Sequence, residues 1–150
     1  MEVGRTLYRV ILIPLENSPT DAAILEHIRP LAILMKSRLV LIHVADGFAA
    51  RNQEQLNLED SEEIVNDRAY LERCCAALSA EGLEATWRLA CGNPADQILA
   101  ASEVEHCGLI AMATHGHRLI KDVVLGSVAS AVRHRTDIPV LLVRAPRPQG

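Results

Sequence analysis

Aromatic residues are scarce in this sequence: one Trp, one Phe and two Tyr, 3% of the chain. Base-stacking nucleic-acid surfaces need exposed rings, so this scarcity argues against a nucleic-acid partner. Long apolar runs are also missing. No stretch approaches the ~18–20 residues that cross a bilayer, which argues against a membrane span. Met1 to Tyr8 lacks a basic flank followed by an apolar stretch and a cleavage site. No secretory leader is therefore read, and the expected location is cytoplasmic. Cys74, Cys75, Cys91 and Cys107 form no C-x-x-C pair. Reduced thiols are expected, with Cys74 on the apolar side of a helix. His27, His106 and His134 have no metal-ligand spacing, so no zinc site is expected.

What is present is ordinary for a globular chain: 150 residues, 49% hydrophobic and 23% charged. That length suits one domain spanning 1–150, with a core of about 9–144 and a frayed tail at 145–150. The net charge of −4 is unevenly spread. Residues 1–112 carry 9 basic and 17 acidic side chains, whereas residues 113–150 carry 6 and 2. A basic C-terminal quarter on an acidic chain suggests a local anion site, the alternative being acidic helices that are simply solvated.

The apolar period switches repeatedly between strand-like and helix-like. Val10–Ile13 is a continuous apolar run, as in a strand buried on both faces, and Leu39–Val44, apolar except for His43, reads as a second buried strand. Leu109–Ala113 and Ile138–Val143 read the same way. Glu84–Ala90 alternates, placing Ala85, Trp87 and Leu89 on one face. Helical spacing covers Ala22–Lys36, which Pro30 is expected to kink or split. A second helix is read at Glu59–Ala80. Its apolar stripe is Ile64, Leu71, Cys74 and Leu78, and Asp60, Glu62, Glu63 and Asp67 suit the helix dipole. Gly82 would stop that helix, and Asn93–Pro94 would start the next. A last helix is read at Val128–Arg135, and Gly47–Leu58 and Thr114–Asp122 are read as polar loops. The order βαβαβαβαβ predicts an α/β, Rossmann-like, doubly wound parallel sheet with helices on both faces. Ligands in such sheets bind at the carboxyl ends of the strands. That brings together Pro14–Ser18, Val44–Gly47 and Met112–Ser127.

The segment Ala113-Thr114-His115-Gly116, nine residues, then Gly126-Ser127-Val128 carries the chemistry. Glycines let a ligand approach the backbone, and a helix start adds unsatisfied N–H donors and partial positive charge. Ser127 adds a hydroxyl, and His115, His117, Arg118 and Lys121 add donors or charge. Such a set suits a polyphosphate, the alternative being a glycine turn followed by an ordinary helix cap. The Gly-Lys-Ser/Thr ending of a Walker loop and the Rossmann glycine spacing are both absent. His43 reads as a core histidine with its hydrogen bonds satisfied, on the opposite strand face from Val44.

These residues resemble the universal stress proteins, whose pattern is G-x2-G-x9-G-S/T. Here it reads Ala113-x2-Gly116-x9-Gly126-Ser127. Val10-Ile11-Leu12-Ile13-Pro14, Leu41-Ile42-His43-Val44, Gly92-Asn93-Pro94-Ala95 and Ile138-Pro139-Val140-Leu141-Leu142-Val143-Arg144 are similar to the family as well. The resemblance spans about residues 9–144. It implies five strands in the order 3-2-1-4-5 and a homodimer joined through the last strand, Val140, Leu141, Leu142 and Val143. In the nucleotide-binding branch it implies ATP or AMP as ligand, with Mg2+ arriving on the phosphates. By position, Glu16 would lie at the ribose or phosphate region and the Val44 backbone at adenine, with Pro14 and Leu15 also among the nucleotide-binding residues. Met112 would line the pocket. Ala113, His115, Gly116, His117, Arg118, Gly126, Ser127 and Val128 would form its phosphate side. Ala113 replaces the first family glycine, Glu16 stands where Asp is usual, and its neighbour Leu15 is apolar.

No nucleophile elbow surrounds Ser127, and no carboxylate pair is placed to activate water. A binding regulator is expected rather than an enzyme, with slow ATP hydrolysis at most. The alternative is a nucleotide-free dimer that works as a protein-interaction module.

Overall fold

The short apolar runs all become strands of one sheet. The computed structural model describes residues 7–45, 62–115 and 126–145. In chain order these form β1 (Val10–Pro14), α1 (Asp21–Met35), β2 (Arg38–Ala45), α2 (Glu62–Ala80), β3 (Glu84–Cys91), α3 (Pro94–Val104), β4 (Leu109–His115), α4 (Ser127–Arg135) and β5 (Val140–Ala145). The five strands are parallel and ordered 3-2-1-4-5. No described helix is long and apolar enough to cross a membrane.

Side-chain alternation divides the core into two layers. Ile11, Ile13, Leu39, Leu41, Leu109 and Ala111 pack against Ile24 and Ile28 of α1 and Leu71 and Leu78 of α2. Val10, Leu12, Val40, Ile42, Ile110 and Met112 pack against Ile98 of α3 and Val132 of α4. Central strands thus need apolar residues at every position, which is why they read as unbroken runs. Each fully buried Ile or Leu contributes roughly 1.5–3 kcal/mol relative to exposure.

Local signals end the helices where expected. Gly82 has φ +86, the left-handed region that a Cβ disfavours. Asn93 caps α3, its side chain accepting the Asp96 N–H at 3.0 Å, with Pro94 at the first helical position.

Several expectations are corrected. The helix containing Pro30 neither splits nor stops there but runs through Asp21–Met35. Pro30 and Glu26 are both exposed, so the carbonyl that loses its helical partner is open to water. Asp67, read only as a charge suiting the helix dipole, is buried, because it shares the stripe of Ile64 and Leu71. Cys75 is the buried cysteine of the adjacent pair, and Cys74 is half-buried. Thr114 and His115 extend β4 and are not loop residues. The last strand begins at Val140 instead of Ile138. It also takes in Ala145, which is 2% exposed and not part of a frayed tail. The two extensions pair with each other, Thr114 with Arg144 and His115 with Ala145.

Candidate functional site

From β1 the chain moves outward to β2 and β3, then crosses back to β4 and β5 on the other side. The connections after β1 and β4 diverge at this switch point and leave a crevice at the strand carboxyl ends. A cleft of about 380 Å3 occupies it, within the ~300–1,000 Å3 usual for small-molecule sites.

Nine of the sequence-predicted residues meet there: Pro14, Leu15, Glu16, Val44, Met112, Ala113, Gly126, Ser127 and Val128. His115 is placed by its backbone at the end of β4, and its side chain lies outside the described residues, as do Gly116, His117 and Arg118. The cleft also takes Asp21, Ile42, His43, Thr114 and Ala129, together with Pro94 and Ile98 from α3. Ile42, His43, Pro94 and Thr114 lie in the quoted motifs but were given no site role there, and Asp21, Ile98 and Ala129 lie outside them. Their shared signal is position, since each lies within a few residues of a strand end or helix start.

Two glycine questions resolve on geometry. Ala113 sits within β4, paired with Val143. Among described non-glycine residues, positive φ occurs at Tyr8, Asn17, Lys36 and His106, so Ala113 bears no backbone strain. Gly126 has φ −62 and ψ 155, which any residue can adopt. A Cβ built there meets no atom of the described residues within 4 Å. The described part of the fold therefore does not require glycine at 126. Its bareness leaves the start of α4 approachable from the cleft. Among the described residues no side chain caps that helix, so first-turn N–H donors and the positive dipole end remain available.

The opposite lip, Leu15 to Ser18, is held from below. Leu15 is 3% exposed and donates its N–H to the Ile42 carbonyl at 2.8 Å. Asp21 is 2% exposed, and its carboxylate accepts the N–H groups of Glu16 (2.9 Å), Asn17 (2.9 Å) and Ser18 (3.4 Å). Tyr70 of α2 donates its hydroxyl to the same carboxylate at 2.6 Å. Burial, and then the Asp21 carboxylate, push the Tyr70 hydroxyl well above its ordinary range, so it stays protonated. The Glu16 carboxylate, exposed above, accepts from Thr20 at 3.2 Å and Ser18 at 3.5 Å.

His43 has the two ring contacts expected of a core histidine. Nδ1 lies 2.8 Å from the Leu15 carbonyl, and Nε2 lies 3.2 Å from Asp67 Oδ2. Val44 packs on the α3 side, the opposite face.

The thiols of Cys74, Cys75 and Cys107 are poor nucleophiles, each raised by burial. Burial pushes Cys75 and Cys107 up to about 11. Among the described residues, no group of three His, Cys, Asp or Glu side chains could hold a metal ion.

The model of the universal stress protein family matches residues 7–144. The chain belongs to the universal stress protein family. It is 25% identical to universal stress protein MJ0577 of Methanocaldococcus jannaschii, covering 92% of this chain and 96% of that protein. The solved structure of MJ0577 superposes with a TM-score of 0.79 at 26% identity, covering 95% and 99% of the two chains. Universal stress protein MJ0531 of the same organism is 28% identical over 96% of this chain and 86% of its own length. A universal stress protein from Archaeoglobus fulgidus, solved in complex with dAMP, shares the fold at 18% identity. Its TM-score is 0.68, covering 91% and 98% of the two chains.

Proposed function

We propose that this universal stress protein binds an adenine nucleotide, ATP or AMP, in the switch-point cleft and acts as a dimeric, cytoplasmic stress-response regulator. One observation carries the reading. The cleft joins the bare, uncapped start of α4 to an apolar floor and an exposed carboxylate across it. An uncapped helix start suits phosphate, an apolar floor suits a purine, and a carboxylate suits ribose hydroxyls. The dAMP complex of the A. fulgidus relative supports the same ligand class.

In this reading Gly126, Ser127 and Val128 meet the phosphates, together with Gly116 and the donors His115, His117 and Arg118. The Glu16 carboxylate takes the ribose. The Val44 backbone, Met112 and the Pro14–Leu15 wall hold adenine, and Ala113 lines the phosphate side. Mg2+ would come on the phosphates. Asp21 is spent on three amides and a phenol, which leaves Glu16 as the lip carboxylate facing the ligand.

The dimer reading rests on β5. It is an edge strand paired only with β4, and Val140, Leu141, Leu142 and Val143 are all partly exposed in the single chain. An apolar free edge invites a second copy.

Calorimetry of nucleotide-free protein against ATP with magnesium, and against AMP, tests the reading. Micromolar binding is expected. Absence of heat with both ligands, with the chain still folded by circular dichroism, would favour the nucleotide-free interaction module. Sedimentation at micromolar concentration tests the dimer, and a monomer there would overturn it.

A further inference from the structure

The lip of the cleft is tied to α2, a helix that contributes no residue to the cleft wall. Asn17 adopts φ 58, a left-handed conformation that Asn tolerates, and donates its side-chain amide to Asp67 Oδ1 at 3.0 Å. The other oxygen of Asp67 is buried. It has no hydrogen-bond partner among the described residues, and His43 Nε2 lies 3.2 Å from it, at ion-pair distance. His43 Nδ1 meets the Leu15 carbonyl at 2.8 Å. The two side chains are 13% and 7% exposed.

The chemistry of these contacts counts protons. A carbonyl only accepts, so Nδ1 carries hydrogen. Nε2 then faces a carboxylate oxygen that also only accepts. With a proton on Nε2, the imidazolium and the carboxylate make a buried ion pair of zero net charge. Without it, two lone pairs oppose each other in a buried site, and a net negative charge sits below the cleft. Resting on the nucleotide reading above, we propose that one proton shared by His43 and Asp67 fixes the lip in its binding position. This makes His43 and Asp67 positioning residues and makes nucleotide affinity depend on pH.

Among the described residues, the surrounding groups do not replace that proton. From α1, Asp21 faces the lip and is satisfied by three amides and the Tyr70 hydroxyl. On α2, Tyr70 stays protonated and Cys74, beside it, has its thiol raised by burial. Glu63 and Arg68 flank Asp67 along the same helix, exposed and half-buried respectively. Glu16 lies exposed on the lip. On β3 the register partner of His43 is Leu89. Its neighbour Arg88 points to the opposite face, where it donates to Glu105 at 3.0 Å. The sign follows: affinity for an anionic ligand is highest with the proton in place and falls once a rise in pH removes it. The window to scan is about pH 5 to 8, where imidazoles in general change charge.

Two readouts test the proposal across that range in the parent chain, Asp67→Asn and Asp67→Ala. The first is the nitrogen chemical shifts of the His43 ring beside the amide shifts of Glu16, Asn17 and Ser18, without nucleotide. The second is calorimetric affinity for ATP with magnesium. In the parent, the three amides should follow the titration of His43, and affinity should fall about tenfold, the scale of one charge-assisted bond. Asp67→Asn places an amide donor against bare Nε2 and keeps an oxygen for Asn17. It should hold the lip, retain affinity and remove that pH slope. The parent-minus-Asn difference also cancels titration of the terminal phosphate and of the other histidines. Asp67→Ala should bind more weakly at every pH. Lip amides indifferent to His43, or an unchanged slope in Asp67→Asn, would overturn the proposal. A parent that binds no nucleotide at any pH would overturn the nucleotide reading, and the amide titration would still decide whether the proton holds the lip.

Discussion

Replacing Gly126 by Val separates the demands of the fold from those of a ligand. The backbone there has φ −62 and ψ 155, and an added Cβ meets open space. Valine is a poorer helix cap than glycine, a loss of roughly 0.5–1 kcal/mol. It also restricts the unfolded chain, a gain of about 0.4–1 kcal/mol. Net stability should therefore move by less than about 1 kcal/mol, or no more than about 2–4 °C in Tm. Binding should respond far more. An isopropyl group at the start of α4 stands between a phosphate and the first-turn N–H donors. Losing one charge-assisted bond of about 1.5–3 kcal/mol weakens affinity roughly 10- to 100-fold. Calorimetry with ATP and magnesium, run beside a thermal melt, reads both quantities on one sample. Gly126→Val with parental affinity would show that phosphate does not sit at α4. A large drop in Tm would show that the open space around residue 126 is needed by the fold.

Two further substitutions address the frame around the cleft. Asn93→Ala removes the acceptor for the Asp96 N–H and should lower stability by about 1 kcal/mol, whereas Asn93→Asp should retain it, as urea denaturation would report. The Glu105 carboxyl has burial working to raise it, but hydrogen bonds from Arg38 and Arg88 outweigh burial and hold it below its ordinary value. Its stabilisation is therefore complete above the unfolded value of about 4.3 and is lost as pH falls through the lower folded one. The difference in urea midpoint between the parent and Glu105→Gln should be constant at neutral pH and close in acid. A gap that persists in acid would place the effect in packing instead of charge.

The legible parts of the chain were those written in local chemistry. Val10–Ile13 and Leu39–Val44 announce buried strands because a parallel strand covered on both faces leaves no polar position. Asn93–Pro94 announces a helix start because cap and first residue are adjacent in sequence. Strand order is a relation between distant segments, and it came from the family resemblance, not from periodicity. Thr114–His115 and Arg144–Ala145 were hidden for a related reason. Neither pair carries an apolar signal, and each is strand because it bonds to the other. In the site, the glycine–serine step marked one wall of the cleft. Asp67 and His43 were read separately, one as an acidic side chain suiting the helix dipole and one as a satisfied core side chain. Only the fold brings residues 43 and 67 within 3.2 Å. The one available hint was Asp67's place between Ile64 and Leu71 on the helix stripe.

The position of β1 also shapes how the molecule comes into being. This strand is made first yet lies in the middle of the sheet, joined at residues 38–42 on one side and at 109–110 on the other. During synthesis its first partner follows at once, but the second edge waits until β4 has been translated. Through that interval an entirely apolar strand offers unpaired amides and carbonyls to whatever is nearby. Folding rates are slowed by closing such long loops. The strand order thus leaves one edge of β1 unpaired until the last two strands are made.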